Sequence, residues 1–182
     1  MKKTIVFILI LTFIFGFSSL ALAGWKESPH KKEMLLKESN LAIQNFKYAD
    51  PEIERFFERA YGWAIFPTVG KAAFGIGGAY GEGLVYEKKE TIGHASLTQL
   101  SFGFQAGGQG YSEIIFFKDS DTLSQFKQGN FKLGATASAA IVTLGASMDA
   151  DFNEGLAIFT LVKGGLMVEA SAAGQKFKYW NY

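Results

Sequence analysis

The sequence predicts an α+β fold: N-terminal helices packed on a strongly curved, mostly antiparallel, glycine-rich sheet, with partial closure into a barrel as the extreme form of that curvature. Three observations carry this. Apolar residues recur at helical spacing up to about residue 60, and from Val69 onward the period changes to two. The two patterns are segregated, helices first and strands later, and an alternating βαβ series would read differently. The strand-like stretches also hold many glycines and alanines, as in Gly75, Gly77, Gly78, Gly81 and Gly83 and again in Gly164 and Gly165. Glycine inside an ordered strand forfeits packing, so it marks a bend, a bulge or the close approach of another backbone.

Ahead of the helices, Lys2 and Lys3 precede the apolar run Ile5–Phe17, and Ala21-Leu22-Ala23 follows with small residues suited to signal peptidase. The run is shorter than the roughly 20 residues of a spanning helix. It reads as a cleavable secretory signal over residues 1–23, in preference to an uncleaved anchor, with cleavage after Ala23. The expectation is an exported chain, periplasmic or secreted, whose residues 24–182 form a single domain. The sequence contains no cysteine, which excludes disulfides, thiolate metal sites and a lipid-modified N-terminal cysteine. With or without Lys2 and Lys3 the charge stays close to zero, which argues against a dedicated nucleic-acid binder. No later segment is apolar for long enough to suggest a spanning helix, so a soluble or peripherally attached domain is expected.

The elements follow in order. Leu35, Leu41, Ala42 and Phe46 suggest a helix over about Lys31–Phe46, with Lys32, Glu33, Lys37 and Glu38 on its polar side. Asp50-Pro51 is a cap followed by proline at the first helical position, and it starts a second helix that turns Ile53, Phe56, Phe57 and Ala60 inward and stops at Gly62. Trp63–Phe66 reads as a short strand closed by Pro67. In residues 97–105, Thr98, Leu100, Phe102 and Phe104 share one face. Residues 111–117 are so uniformly apolar or aromatic that both faces should be covered, and Gly107-Gly108 suggests a turn before them. Asp119-Ser120-Asp121 caps a helix through Leu123, Phe126 and Lys127. Phe131–Val142 reads as a strand in preference to a tightly packed helix. Strands near Leu156–Lys163, Leu166–Ala172 and Lys176–Trp180 close the chain.

Five blocks in order carry a family resemblance: Arg59–Pro67, Lys71–Gly83, Ser101–Gln109 with Ile114–Phe117, Lys163–Met167, and Gly174–Phe177. They resemble the SYLF domain, a lipid-binding module also described as actin-binding in some eukaryotic proteins. The resemblance covers about residues 35–179. It implies a non-enzymatic domain that associates with lipids, acidic phosphoinositides among them in eukaryotic members. Export would separate this chain from cytosolic actin, so actin bundling is not carried over.

Beside that resemblance, the residues point away from several chemistries. Gly75, Gly77 and Gly81 are spaced one residue off a dinucleotide fingerprint and lead into a strand-like run, which offers no helix N-terminus to a phosphate. His30 and His94 lack a metal-ligand spacing, and His94 falls in what reads as a solvated polar connection, Glu90–His94. Asp149, Asp151 and Glu154 lack the pattern of a calcium loop and read as a solvated turn. No G-x-S-x-G elbow occurs. No cofactor, metal or enzymatic activity is therefore expected. The lysines Lys71, Lys88, Lys89, Lys163, Lys176 and Lys178 are the candidate binding residues. In a strand, Lys176 and Lys178 project together with Trp180 beside them, an arrangement that suits an anionic lipid headgroup at a membrane interface. The bland alternative is edge-protecting surface lysines. The expected function is peripheral association with anionic lipid at the cell envelope; the alternative is a scaffolding protein acting through self-association or a protein partner.

Overall fold

The computed structural model describes residues 29–71, 78–100, 110–128, 140–142, 145–163 and 174–182. Outside them lie the signal segment, Gly75, Gly77, Gly164 and Gly165, the Phe102 and Phe104 positions, the Gly107-Gly108 turn, most of Phe131–Val142, and the strand expected at Leu166–Ala172. Residues Glu33–Tyr182 form one compact unit.

The first helix, α1 (Pro29–Ala49), buries Leu35, Ser39, Ala42 and Phe46, a stripe at spacings of four, three and four. Leu41, expected on that stripe, is exposed. Adjacent helical residues are rotated by about 100° from one another, so Leu41 and Ala42 cannot share a face. Asp50 then caps a 3₁₀ turn (Pro51–Ile53) by accepting from the Glu52 N–H at 3.2 Å. Helix α2 (Glu54–Arg59) follows and ends at Ala60, which is already extended.

Gly62 is therefore not the helix stop expected of it but the first residue of strand β1 (Gly62–Lys71). A Cβ at Gly62 would stand 2.3 Å from the Tyr86 carbonyl oxygen, so the position is small to let two backbones approach. Nor does Pro67 close the strand. Proline has no N–H to give the ladder, and β1 accommodates it by shifting register against both neighbours, between Ile65 and Thr68 on one side and Phe66 and Val69 on the other. The Pro67 carbonyl accepts the Ser112 hydroxyl at 2.7 Å.

Strand β2 (Gly78–Glu87) turns through Lys88-Lys89 into β3 (Glu90–Leu100). His94, expected in a solvated connection, lies within β3, is buried, and pairs with Leu84 and Trp180. A long hairpin with a two-residue loop leaves no room for a connection at Glu90–His94. Strand β4 (Tyr111–Phe117) leads into helix α3 (Ser120–Lys127), capped by the Asp119 carboxylate, which accepts from the Thr122 N–H at 2.9 Å. The two-residue β5 (Ile141–Val142) runs parallel to β6 (Leu156–Val162), and β7 (Gln175–Asn181) completes the sheet.

Among the described residues the order is β5-β6-β4-β1-β2-β3-β7, antiparallel except at β5. Among these residues the sheet does not close: β5 and β7 are its two ends, so the barrel form of the expectation is not found. Strong curvature is. In a flat sheet β4 and β7 would lie about 19 Å apart, at about 4.8 Å per strand spacing, yet the Gln175 side-chain amide donates to the Glu113 carboxyl at 2.8 Å. The concave side holds Phe66, Leu97, Ile115, Phe117 and Phe177 with Leu123 and Phe126 of α3 over them. On the other side, Phe56 and Phe57 of α2 pack their rings on Phe116, Phe159 and Trp63 at centroid separations of 4.8 to 5.6 Å. Strand β4 is thus covered on both faces, as its composition predicts.

Gly83 shows why the sheet is rich in glycine. A Cβ there would meet the Ile65 carbonyl oxygen at 2.3 Å and the Phe66 ring at 2.7 Å, beside the irregularity in β1. Gly81, two residues earlier on β2, would meet the Thr68 carbonyl oxygen and a Val69 methyl, each at 2.9 Å. Gly78 opens β2, in register with Leu100.

Candidate functional site

The structure separates the candidate lysines into three places. Lys71 ends β1, and Lys163 follows β6; through the registers Val69–Tyr111 and Tyr111–Val162 they belong to one end of the sheet. Lys163 Nζ bonds the Thr68 hydroxyl at 2.6 Å. Lys88 and Lys89 form the β2–β3 turn at the opposite end, both in the left-handed region at φ 49° and 72°, where glycine and asparagine are the usual occupants of a two-residue hairpin loop. Lys88 is tied to the residue before β1: its N–H donates to the Tyr61 carbonyl at 2.9 Å, and its ammonium sits 5.3 Å from the Tyr61 ring centre.

On β7 candidate lysines and the candidate aromatic come together. Burial alternates along the strand, with Gln175 and Phe177 inward and Lys176, Lys178 and Trp180 outward. The three outward side chains follow one another at about 7 Å, two residues of extended chain. The Trp180 indole is fixed by stacking on buried His94, with ring centres 4.8 Å apart and planes 7° from parallel. Neither lysine forms an ion pair among the described residues. The same face of β2 carries Tyr80, whose hydroxyl donates to Glu82 at 3.0 Å; burial and that carboxylate push the phenol up to about 12. The arrangement presents two solvated ammonium groups and a half-exposed, rigidly held indole on one edge strand, chemistry suited to an anionic surface with an apolar layer beneath it.

A second cluster was not anticipated. Glu113, in the middle of β4, has no exposed surface. Its Oε2 accepts from Gln175 Nε2, which also lies 3.3 Å from the Tyr111 hydroxyl, and that hydroxyl donates to Gln99 at 3.0 Å. Burial pushes the Glu113 carboxyl up to about 7, with the Gln175 bond opposing part of the rise. Burial, with the Glu113 charge adding to it, raises Tyr111 as well. The sequence signal existed: a lone carboxylate within a strand expected to be covered on both sides. Gln175, on the far edge with three strands of sheet between, carried no such signal.

A third polar group is structural. Asp50 Oδ2 accepts from the Gly145 N–H at 2.7 Å and from both the backbone and the hydroxyl of Ser147. Burial works against its charge, but these bonds outweigh it and hold the carboxyl below its ordinary range. Arg55 donates to the carbonyls of Met148 and Ala150, and Arg59 pairs with Asp151 at 2.9 Å. Asp151 is thereby a partner of α2, while Asp149 and Glu154 are exposed. No group of three or more His, Asp or Glu that could hold a metal occurs among the described residues.

Fold and surface together define an α+β module with a curled antiparallel sheet, helices on both of its faces and a cationic–aromatic strip on one edge. Residues 98–179 match the Ysc84 family model, described as Las17-binding protein actin regulator, in agreement with the SYLF resemblance read from the ordered blocks. The chain is also 26% identical over 132 residues to the Beta cell expansion factor A of Aeromonas veronii. That alignment covers 71% of this chain and 49% of the relative, so the chain spans about half the length of the curated relative it matches.

Proposed function

We propose that the chain is an exported, non-catalytic lipid-binding module that docks peripherally on anionic membrane surfaces through β7. SYLF-domain character supports lipid or actin binding as the coarse function. The secretory pattern at residues 1–23 favours lipid over actin, because an exported chain does not meet the cytoskeleton. The observation that carries the reading is the outward strip Lys176–Lys178–Trp180, with the indole held rigid against His94. Each lysine near an anionic surface contributes about 1 kcal/mol, so the pair adds roughly 30-fold in affinity. The indole adds interfacial burial, at little entropic cost because it is already fixed.

Co-sedimentation of the protein with vesicles tests this, using a zwitterionic lipid alone or mixed with an anionic phosphoglycerol lipid. Recovery should rise with anionic lipid, fall with salt, and fall roughly 30-fold in affinity for Lys176→Gln with Lys178→Gln. Equal recovery on both vesicle types, unchanged in the double variant, refutes the electrostatic docking. The edge position of β7 favours one other reading, self-association of a scaffold. An oligomer of the same size with and without lipid in light scattering would establish it instead.

A further inference from the structure

Glu113 and Gln175 meet across the concave side of the sheet from β4 and from the edge strand β7. One contact between them is satisfied, Gln175 Nε2 to Glu113 Oε2 at 2.8 Å. The remaining oxygens, Glu113 Oε1 and Gln175 Oε1, are both buried and both lack a hydrogen-bond partner. Two acceptors cannot satisfy each other; a donor is missing. A buried polar atom without a partner costs on the order of a whole hydrogen bond or more, and a buried carboxylate without a cation costs more still.

Among the described residues, none sets a cation beside Glu113 and none is hydrogen-bonded to its Oε1. On its own strand stands Tyr111, whose hydroxyl is turned to Gln99 of β3. The register places Phe66 of β1 on one side of it and Thr160 of β6 on the other. Among the described residues, the polar group that β7 brings to it is Gln175, and burial and the Gln175 bond are what act on the carboxyl.

We propose that Glu113 and Gln175 form a proton-dependent latch that holds edge strand β7 curled against β4. A proton on Glu113 Oε1 provides the absent donor, and the carboxylic acid and the primary amide then pair through two hydrogen bonds, N–H to one oxygen and O–H to the other. Loss of that proton leaves both acceptor oxygens without a donor, around a buried charge. The charge gains water only if β7 moves away, and among the described residues β7 is held by β3 on one side, by Phe177 against Phe66 and Phe126, and by the Glu113–Gln175 contact. Ionisation therefore loosens the edge strand that carries Lys176, Lys178 and Trp180. The inference does not depend on what that strip binds.

Infrared titration of the full chain gives the first test. A protonated-carboxyl band should persist above the ordinary carboxylate range and vanish near neutral pH; a spectrum without it by about pH 5 overturns the proposal. Hydrogen exchange of the β7 amides, corrected for the intrinsic pH dependence of exchange, gives the second. Protection should fall by tenfold or more as the band disappears, and Glu113→Gln, which keeps a donor on that atom at every pH, should hold it constant. Protection that is indifferent to ionisation, or that falls equally in Glu113→Gln, also overturns it. The wild-type infrared and exchange measurements decide the matter even if the variant fails to fold.

Discussion

Replacing Glu113 by glutamine should flatten the pH dependence of stability in a window that the other shifted carboxyls leave clear. An ordinary glutamate titrates near 4.5, and burial in the folded chain moves Glu113 to about 7. Between these values the native state keeps a proton that the unfolded state has released. Unfolding free energy therefore falls as pH rises through the interval, and it levels off above the folded value. One unit is worth about 1.36 kcal/mol, so the wild type should lose about 2.5 kcal/mol between pH 5 and pH 8 from this group alone. Asp50, Asp119, Asp151 and Glu87 are all shifted downward and act at lower pH. Groups common to both proteins cancel in the difference. The assay is urea unfolding followed by tryptophan fluorescence at constant ionic strength. At a slope of about 2 kcal/mol per molar urea, the midpoint of the wild type should move about 1 M closer to zero across the window relative to Glu113→Gln. Two midpoint curves separated by a constant offset would refute the reasoning, because the carboxyl would then ionise alike in folded and unfolded chains.

Two further outcomes test the frame around the site. Asp50→Asn keeps the shape of the side chain but places an amide against the donors of Gly145 and Ser147, and should cost roughly 2–4 kcal/mol in urea unfolding. In the wild type the Asp50 contribution is present above the ordinary aspartate range and is lost as pH falls through the depressed folded value, so the variant should lack that acid-side loss. Gly83→Ala forces a Cβ to within 2.3 Å of the Ile65 carbonyl, and should cost roughly 2–3 kcal/mol as β1 and β2 separate. Gly70→Ala, where nothing lies within 4 Å of the added atom, should stay within about 0.5 kcal/mol and serves as the control. Equal effects of the two alanines would show that the glycines of this sheet are not there for close approach.

What the chain determined by itself was local. Period three-to-four became α1, the Asp50-Pro51 and Asp119 caps became helix starts, and the uniformly apolar 111–117 became a strand covered on both faces, because each depends only on neighbours in sequence. The outward triplet Lys176, Lys178 and Trp180 was legible for the same reason: alternation is a property of a single strand. Pro67, Gly62 and His94 misled because a proline, a glycine or a histidine has one local meaning and another inside a sheet. A register shift absorbed the first, a neighbouring backbone crowded the second, and an indole covered the third. Tertiary structure alone decided how far the sheet curls, and therefore that Glu113 meets Gln175, residues 62 positions apart in sequence. Hydrophobic periodicity says which side of a strand faces inward; it carries nothing about which strand lies opposite. That is set by the summed twist and bending of the strands between them, to which no one residue is the key.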